Sequence, residues 1–403
     1  MYVCSKPRQS SFIVSKLTTL PNEAIEEIFT YLDTKDLKSL SLICKKLFSV
    51  VRIYRFGIVH PIWKDAMEHI AGEGPSSSIN ADGVLIKNIY YVLDLSTNNP
   101  SCWLLYLGTS HLAWRNKSIK YNSKFGHFEP VKSSKATAIR YMIYVFGGEN
   151  SQTEKISNIL YSLDTRTMKL SRIRQSEKTV KPRFMHTLNT IDSDRIAIFG
   201  GRSSFNDIQY DINDFSVYDI IKNKWTHYTP KSDLPYSRFL HSATVSLDKL
   251  YIYGGRQKIH NKGSSKIHDD EDLWAYDIRK NNWTKYLSPS SDNFPFELPR
   301  EWIPTSGQNT KPGRRSSACI FPLGKRIAMI GGSDWSDKEQ ETPWEYMKLF
   351  SPAQKRWEQV RVKGMPKLKH CIVLISQSKV GINRRLVIGQ SFGGKAVIGW
   401  ICD

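Results

Sequence analysis

The chain has 403 residues, 58 Lys and Arg against 38 Asp and Glu, and a formal net charge of +20, with 40% hydrophobic and 24% charged residues. That composition is globular and excludes disordered and collagen-like classes, while the excess charge leaves nucleic acid, an anionic surface or an acidic protein segment as partners. No apolar run approaches the roughly 18 residues of a membrane-spanning helix, and no membrane span is expected.

Residues 1–16 carry three positive and no negative charges and lack the continuous apolar stretch of a secretory signal, so they read as an N-terminal tail of an intracellular, cytoplasmic and/or nuclear protein. The six Cys are scattered without a C-x-x-C pair, which indicates neither a disulfide framework nor a zinc site.

Residues 17–56 read as two short amphipathic helices. Pro21 suits a first helical position, Glu23, Glu26 and Glu27 favour the positive end of the helix dipole, and Ile25, Ile28, Phe29 and Leu32 share one face. Asp33 or Thr34 caps a second helix with Leu37, Leu40, Cys44, Leu47 and Val51 as its apolar stripe. A segment this small has too little core to stand alone, and its apolar faces call for a partner. The run Leu20-Pro21-x-Glu23-x-Ile25-x-x-Ile28-Phe29-x-Tyr31-Leu32, followed by Asp36-Leu37-x-x-Leu40-Ser41-x-Ile43-Cys44-Lys45, resembles the F-box. The resemblance implies docking onto the Skp-type adaptor of a cullin-RING ubiquitin ligase through Leu20, Pro21, Ile25, Ile28, Leu32, Leu37, Leu40, Cys44 and Leu47. Leu47 stands where many F-boxes carry Trp, which reduces buried aromatic area. This small all-α region carries six positive and five negative charges, so nearly all the excess charge lies beyond it.

Residues 57–84, which include GEGPSSSINADG, read as a linker with a short helix. From residue 85 to 403 the pattern is β: apolar runs ending in a Gly pair recur as YMIYVFGGE (141–149), RIAIFGGR (195–202), KLYIYGGR (249–256) and RIAMIGGS (326–333), with a degenerate copy at 385–391. Gly147, Gly200 and Gly254 are 53 and 54 residues apart, and the 77 residues to Gly331 imply a loop insertion near 285–312. A second mark places an aromatic seven residues before a Trp: Tyr218 and Trp225, Tyr276 and Trp283, Phe350 and Trp357, with Leu163 and Leu170 as a weaker copy. Together these marks resemble the kelch repeat, whose four-stranded blades surround an axis. The Gly pair would turn the chain where blades crowd, and the aromatics would fill the wedge between blades. The expected fold is an all-β kelch propeller, six-bladed if residues 89–107 belong to a blade of their own and five-bladed if they complete the last one.

A basic residue opens each repeat at Arg183, Arg238, Arg314 and Lys367, and antiparallel pairing puts these on the face that also holds Arg202 and Arg256. Two readings stand: a basic ring that binds an acidic or phosphorylated target, as the opening Arg does in some kelch substrate receptors, or cations that pair with blade carboxylates and stabilise the ring. His186, His241 and His370 recur at equivalent slots, too far apart around a ring to share one metal ion. His260, His268 and the following Asp269-Asp270-Glu271-Asp272 read as a solvated acidic loop. Gly389 to Ala396 approximates a phosphate-binding loop but lacks the hydroxyl residue for magnesium. No cofactor, metal site or catalytic set emerges, which predicts a non-catalytic subunit: the target receptor of an SCF-type ubiquitin ligase. A non-degradative kelch scaffold is the alternative, and a nucleic-acid-binding propeller ranks behind both.

Overall fold

The computed structural model divides into two units, 1–61 with 403, and 62–402. It describes Ile62 to Cys402, apart from 66–69, 72–73, 76–82, 108–111, 175–179, 207, 229–232, 262–263, 287–311, 334–345, 354, 377–383 and 392–395. The nine expected adaptor-facing residues, Leu20 to Leu47, and most of the expected 285–312 insertion lie outside the described residues.

The second unit is a six-bladed β-propeller. Strand β1 (Ile62–Asp65) is followed by blade 1, with β2 (Ile70–Ala71), β3 (Gly83–Ile86), β4 (Ile89–Asp94), β5 (Ser101–Tyr106) and β6 (Leu112–Ser118). Blade 2 holds β7 (Lys120–Asn122), β8 (Val131–Lys132), β9 (Lys135–Ile139), β10 (Met142–Phe146), β11 (Glu149–Asn150), β12 (Leu160–Asp164) and β13 (Lys169–Arg172). Blade 3 holds β14 (Thr187–Thr190), β15 (Arg195–Phe199), β16 (Arg202–Phe205), β17 (Ile208–Asp211), β18 (Phe215–Asp219) and β19 (Lys224–Tyr228). Blade 4 holds β20 (Ser242–Ser246), β21 (Lys249–Tyr253), β22 (Arg256–Asn261), β23 (Ser264–Asp269), β24 (Leu273–Asp277) and β25 (Asn282–Tyr286). Blade 5 holds β26 (Cys319–Leu323), β27 (Arg326–Ile330), β28 (Tyr346–Ser351) and β29 (Arg356–Arg361), and blade 6 holds β30 (Leu368–Ser376), β31 (Arg384–Ser391) and β32 (Ala396–Cys402).

Residues 89–107 do belong to a blade of their own, as β4 and β5 between the innermost strand β3 and the outer strand β6, which settles six over five. The degenerate copy at 385–391 is the second strand of blade 6, and Ala396–Cys402 is its third. Its fourth, outermost strand comes from the other end of the unit: β1 pairs antiparallel with β32, Ile62 opposite Cys402. The ring is therefore closed by residues from the 57–84 segment read as a linker. That segment also supplies β2 and the first two residues of β3, and its described parts contain no helix.

The second strand of each of blades 2 to 5 is buried at every position after its first, on both faces, because it is sandwiched between neighbouring blades. A continuous apolar run follows from that position. The outermost strands instead bury chiefly one large residue, as Trp225 does in Lys224–Tyr228.

The pairs seven residues apart face each other across the last hairpin of blades 2 to 5: Leu163 opposite Leu170, and the aromatic pairs Tyr218 opposite Trp225, Tyr276 opposite Trp283 and Phe350 opposite Trp357. Each Trp also meets the aromatic that precedes the Gly pair of the previous blade. Ring centroids are 5.4 Å apart for Phe146 and Trp225, 5.3 Å for Phe199 and Trp283, and 5.4 Å for Tyr253 and Trp357. The wedge between blades is thus filled from both sides. The hairpin turns are held by Asp carboxylates: Lys222 N–H donates to Asp219 at 2.9 Å and Lys280 N–H to Asp277 at 2.9 Å.

Candidate functional site

In each blade the connection between the second and third strands and the connection to the next blade emerge on one face, because successive strands alternate direction. Two-stranded hairpins stand on this face in blades 3 and 4, β16–β17 and β22–β23. They are linked where Lys258 N–H donates to Asp211 at 2.7 Å.

The opening arginines sit at the base of this face and point inward. Arg183 is fully buried: its two Nη groups clasp the Asp214 carboxylate, one at 2.8 Å, its Nη1 donates to Gly200 O at 3.0 Å, and its Nε to Lys181 O at 3.1 Å. Arg238 repeats the arrangement in blade 4, with Nη2 2.8 Å from Asp270, Nη1 donating to Gly254 O at 2.9 Å, and Nε to Tyr236 O at 3.1 Å. Burial depresses the affinity of Arg238 for its proton, and the nearby Asp270 and Asp272 charges oppose that effect. Of the two readings for these side chains, the geometry of Arg183 and Arg238 is that of cations paired with blade carboxylates. The acidic segment at 269–272 is accordingly not a solvated loop: Asp270 is buried against Arg238, and Asp272 meets Lys285 at 2.7 Å.

The backbone of the same arginines interlocks the blades. Gly148 N–H donates to Arg183 O at 2.9 Å, Gly201 N–H to Arg238 O at 2.8 Å, and Gly255 N–H to Arg315 O at 2.8 Å, in each case from one blade to the next. A Cβ on Gly200 would lie 2.7 Å from Arg238 O, and this glycine also has a positive φ of 63°. The Gly pair is thus required by close approach of the next blade as well as by its own turn. Arg315, not Arg314, takes the interlocking position in blade 5: Arg315 is buried, Arg314 is exposed, and Ser317 shares the left-handed backbone of Met185 and Leu240. The register of this repeat is one residue later than Gly313-Arg314 suggests.

The remaining expected target-binding residues divide. Arg202 pairs with Asp211 at 2.9 Å and lies over the Phe239 ring at 4.3 Å, with 14% of its side chain exposed. Arg256 is half-buried and bridges Phe239 through its backbone, whereas Lys367 is exposed. The six do not converge into one open basic ring.

His186 and His241 occupy equivalent buried slots against Phe146 and Phe199, with ring centroids 5.8 and 5.3 Å apart. His241 Nε2 is 2.8 Å from Thr187 Oγ1, while both His186 ring nitrogens lack a hydrogen-bond partner. Burial holds both imidazoles well below their usual pKa, and the Arg183 and Arg238 charges add to that shift. Among the described residues no group of three or more His, Cys, Asp or Glu is placed to hold a metal ion. No helix among them is long and apolar enough to cross a membrane.

The hairpin face exposes large apolar side chains among polar ones. Phe205 and Ile208, each 72% exposed, face each other at the tip of the blade 3 hairpin around Asn206, which has a left-handed φ of 48°. Tyr236, in the loop before β20, and Ile267, on β23 of the blade 4 hairpin, are also exposed. The sequence signal for the tip was an Asn-Asp turn between two apolar residues, a hairpin mark hidden inside the repeat.

Interlocking Gly pairs, buried arginines at the repeat openings and a Trp in each wedge from blade 2 to blade 5 define a propeller of the kelch class. The model of the KLHDC2/KLHL20/DRC7 Kelch-repeats domain matches residues 133–382, and the chain belongs to that family. The F-box domain model matches residues 17–58. Among relatives, human Kelch domain-containing protein 3 is 28% identical over 211 residues, 51% of this chain and 48% of that protein, so the chain spans about half its length. N-(sulfonatooxy)prop-2-enimidothioate sulfolyase of Thlaspi arvense is 29% identical over 260 residues, 62% of this chain and 68% of that protein. Leucine-zipper-like transcriptional regulator 1 of Pongo abelii is 28% identical over 183 residues, 43% of this chain and 21% of that protein. An F-box followed by a kelch propeller is the architecture of an SCF-type substrate receptor, and neither domain model describes a catalytic family.

Proposed function

We propose that this protein is a substrate-recognition subunit of an SCF-type ubiquitin ligase. The F-box residues recruit the Skp-type adaptor and, through it, the cullin-RING machinery, and the propeller holds a target protein for ubiquitin transfer and proteasomal degradation. The observation that carries this reading is the succession of an F-box at 17–58 and a closed kelch propeller in one chain. The contribution of such a subunit is positioning: a bound target lysine near charged ubiquitin reacts at high effective concentration, and no catalytic side chain is needed here. Target contacts are assigned to the hairpin face, where Phe205, Ile208, Tyr236 and Ile267 are exposed and Arg314 and Lys367 add positive charge.

The test is capture of the adaptor by the full-length chain. Capture that is lost in Ile28→Asp and in a Leu20→Asp, Pro21→Asp variant supports the proposal. Failure of the wild-type chain to bind any Skp-type adaptor rejects it. Targets trapped under proteasome inhibition that accumulate when Ile28→Asp replaces the wild type separate a degradative receptor from a scaffold.

A further inference from the structure

The strand Leu112–Ser118 is the outer rim of blade 1. Its inner side pairs with Ser101–Tyr106, and β2 covers its outer side only at Leu112 and Ala113. Among the described residues no strand pairs with the outer side of 114–118, and Arg115, Asn116, Lys117 and Ser118 are all exposed. The chain then crosses to blade 2 through Ile119 alone, whose N–H donates to Pro100 O at 2.9 Å, and becomes β7, an added fifth strand parallel to β13. One extended run therefore forms the rims of two adjacent blades.

That run is uniformly basic. Residues 112–128 contain Arg115, Lys117, Lys120 and Lys124 and no carboxylate. The parallel register sets Lys120 directly opposite Lys169, both exposed. Like charges directly opposed across a strand pair cost stability, and no described carboxylate forms an ion pair with Arg115, Lys117, Lys120 or Lys169. Cations at other turns are neutralised, as Arg166 is by Asp164, Arg195 by Asp192 and Arg279 by Asp248.

We propose that this rim binds an extended acidic segment of a protein partner, which lies along 114–118 as an added strand. Carboxylates or phosphates on its alternate residues would face Arg115, Lys117 and the Lys120 and Lys169 pair. Arg115 and Lys117 project from the same side of a strand about 7 Å apart, the spacing of alternate residues in an extended peptide, and the edge, unpaired at 114–118 among the described residues, offers it backbone hydrogen bonds. A nucleic acid strand would call for ring faces on which to stack bases. The aromatics here, Trp114, Tyr121 and Phe128, are half-buried against Tyr90 and Tyr161. The proposal rests on the receptor reading only for what the partner is for, and adaptor capture by the same protein succeeds or fails independently of it.

The test is fluorescence anisotropy of the full-length chain with a labelled dodecapeptide of alternating Glu and Val, a block peptide of equal composition, an alternating phosphoserine peptide, and a single-stranded oligonucleotide. The alternating peptides are expected to bind at least about tenfold tighter than the block peptide, with slowed amide exchange at 114–118. Comparison of the Glu and phosphoserine peptides identifies which anion is preferred. Lys120→Glu is expected to weaken that binding about tenfold while raising the melting temperature, because it sets a carboxylate opposite Lys169 in place of a like charge; a misfolded variant would lower both. Equal binding of block and alternating peptides, tighter binding of the oligonucleotide, no peptide binding, or indifference to Lys120→Glu and to Arg115→Glu with Lys117→Glu would each overturn the proposal. In the last cases the rim cations serve to keep an exposed edge from aggregating.

Discussion

The guanidinium of Arg238, fully buried, lies 2.8 Å from the carboxylate of Asp270, 32 residues further along the chain in the same blade. Its backbone carbonyl meanwhile accepts the Gly201 N–H of the preceding blade at 2.8 Å. One residue thus joins the hairpin base of its own blade to its neighbour, which makes it a structural cation.

Removing one partner of that pair leaves an uncompensated buried charge. Asp270→Asn is expected to destabilise the propeller by about 3–5 kcal/mol. Arg238→Met with Asp270→Asn should cost less than the sum of the single changes. Urea denaturation of the three variants measures both; additive losses would show the two side chains to be energetically independent.

The interlock at the Gly pair separates two costs. At Gly324, φ is 57° and an added Cβ meets nothing within 4 Å, so Gly324→Ala should lose only the about 1–2 kcal/mol of a left-handed residue. At Gly200 the added Cβ lies 2.7 Å from Arg238 O, and Gly200→Ala should lose clearly more. Comparable melting temperatures for the two variants would refute the close-approach argument.

The wedges between blades 2 and 5 depend on their Trp residues. Trp225→Ala removes the contacts with Tyr218 and, across the blade boundary, with Phe146, and is expected to cost about 3–5 kcal/mol. Trp225→Phe should recover much of that loss. The measurement is thermal unfolding followed by tryptophan fluorescence or circular dichroism.

Acid should act in two stages. His186 and His241 are held neutral, with folded pKa values well below 6.5, so the unfolded chain takes up protons first and their contribution is lost as pH falls below about 6.5. Asp164 is held down to about 2, first by its side-chain hydrogen bond from Arg166, so its contribution is present above about pH 4 and lost as pH falls toward 2. Asp219 and Asp277 are lowered in the same sense by turn N–H donors. His186→Phe should flatten the melting-temperature profile between pH 7 and 5, and Asp164→Asn the limb below pH 4; unchanged profiles would contradict these assignments.

The repeat was legible because its marks are local. Aromatics seven residues apart are direct partners across one hairpin turn, and a Gly pair at the end of an apolar run reports a left-handed backbone and a buried strand together. The expected basic ring was less legible. Strand alternation tells which side an arginine takes, but the carboxylates that neutralise Arg183 and Arg238 lie 31 and 32 residues downstream and reach them only after the blade folds. The Arg314 and Arg315 register and the closing strand from 62–65 were hidden for the same reason: each is set by a neighbour distant in sequence.

By itself the sequence determined that a short F-box segment precedes a ring of kelch blades, because those motifs repeat within spans where one turn or one hairpin fixes the spacing. Only the tertiary structure decided how the +20 charge is distributed. It sequesters Arg183 and Arg238 inside the ring, where desolvation demands a paired carboxylate. It leaves Arg115, Lys117, Lys120 and Lys169 on the rim, where water tolerates an unpaired cation and an anionic partner can reach it.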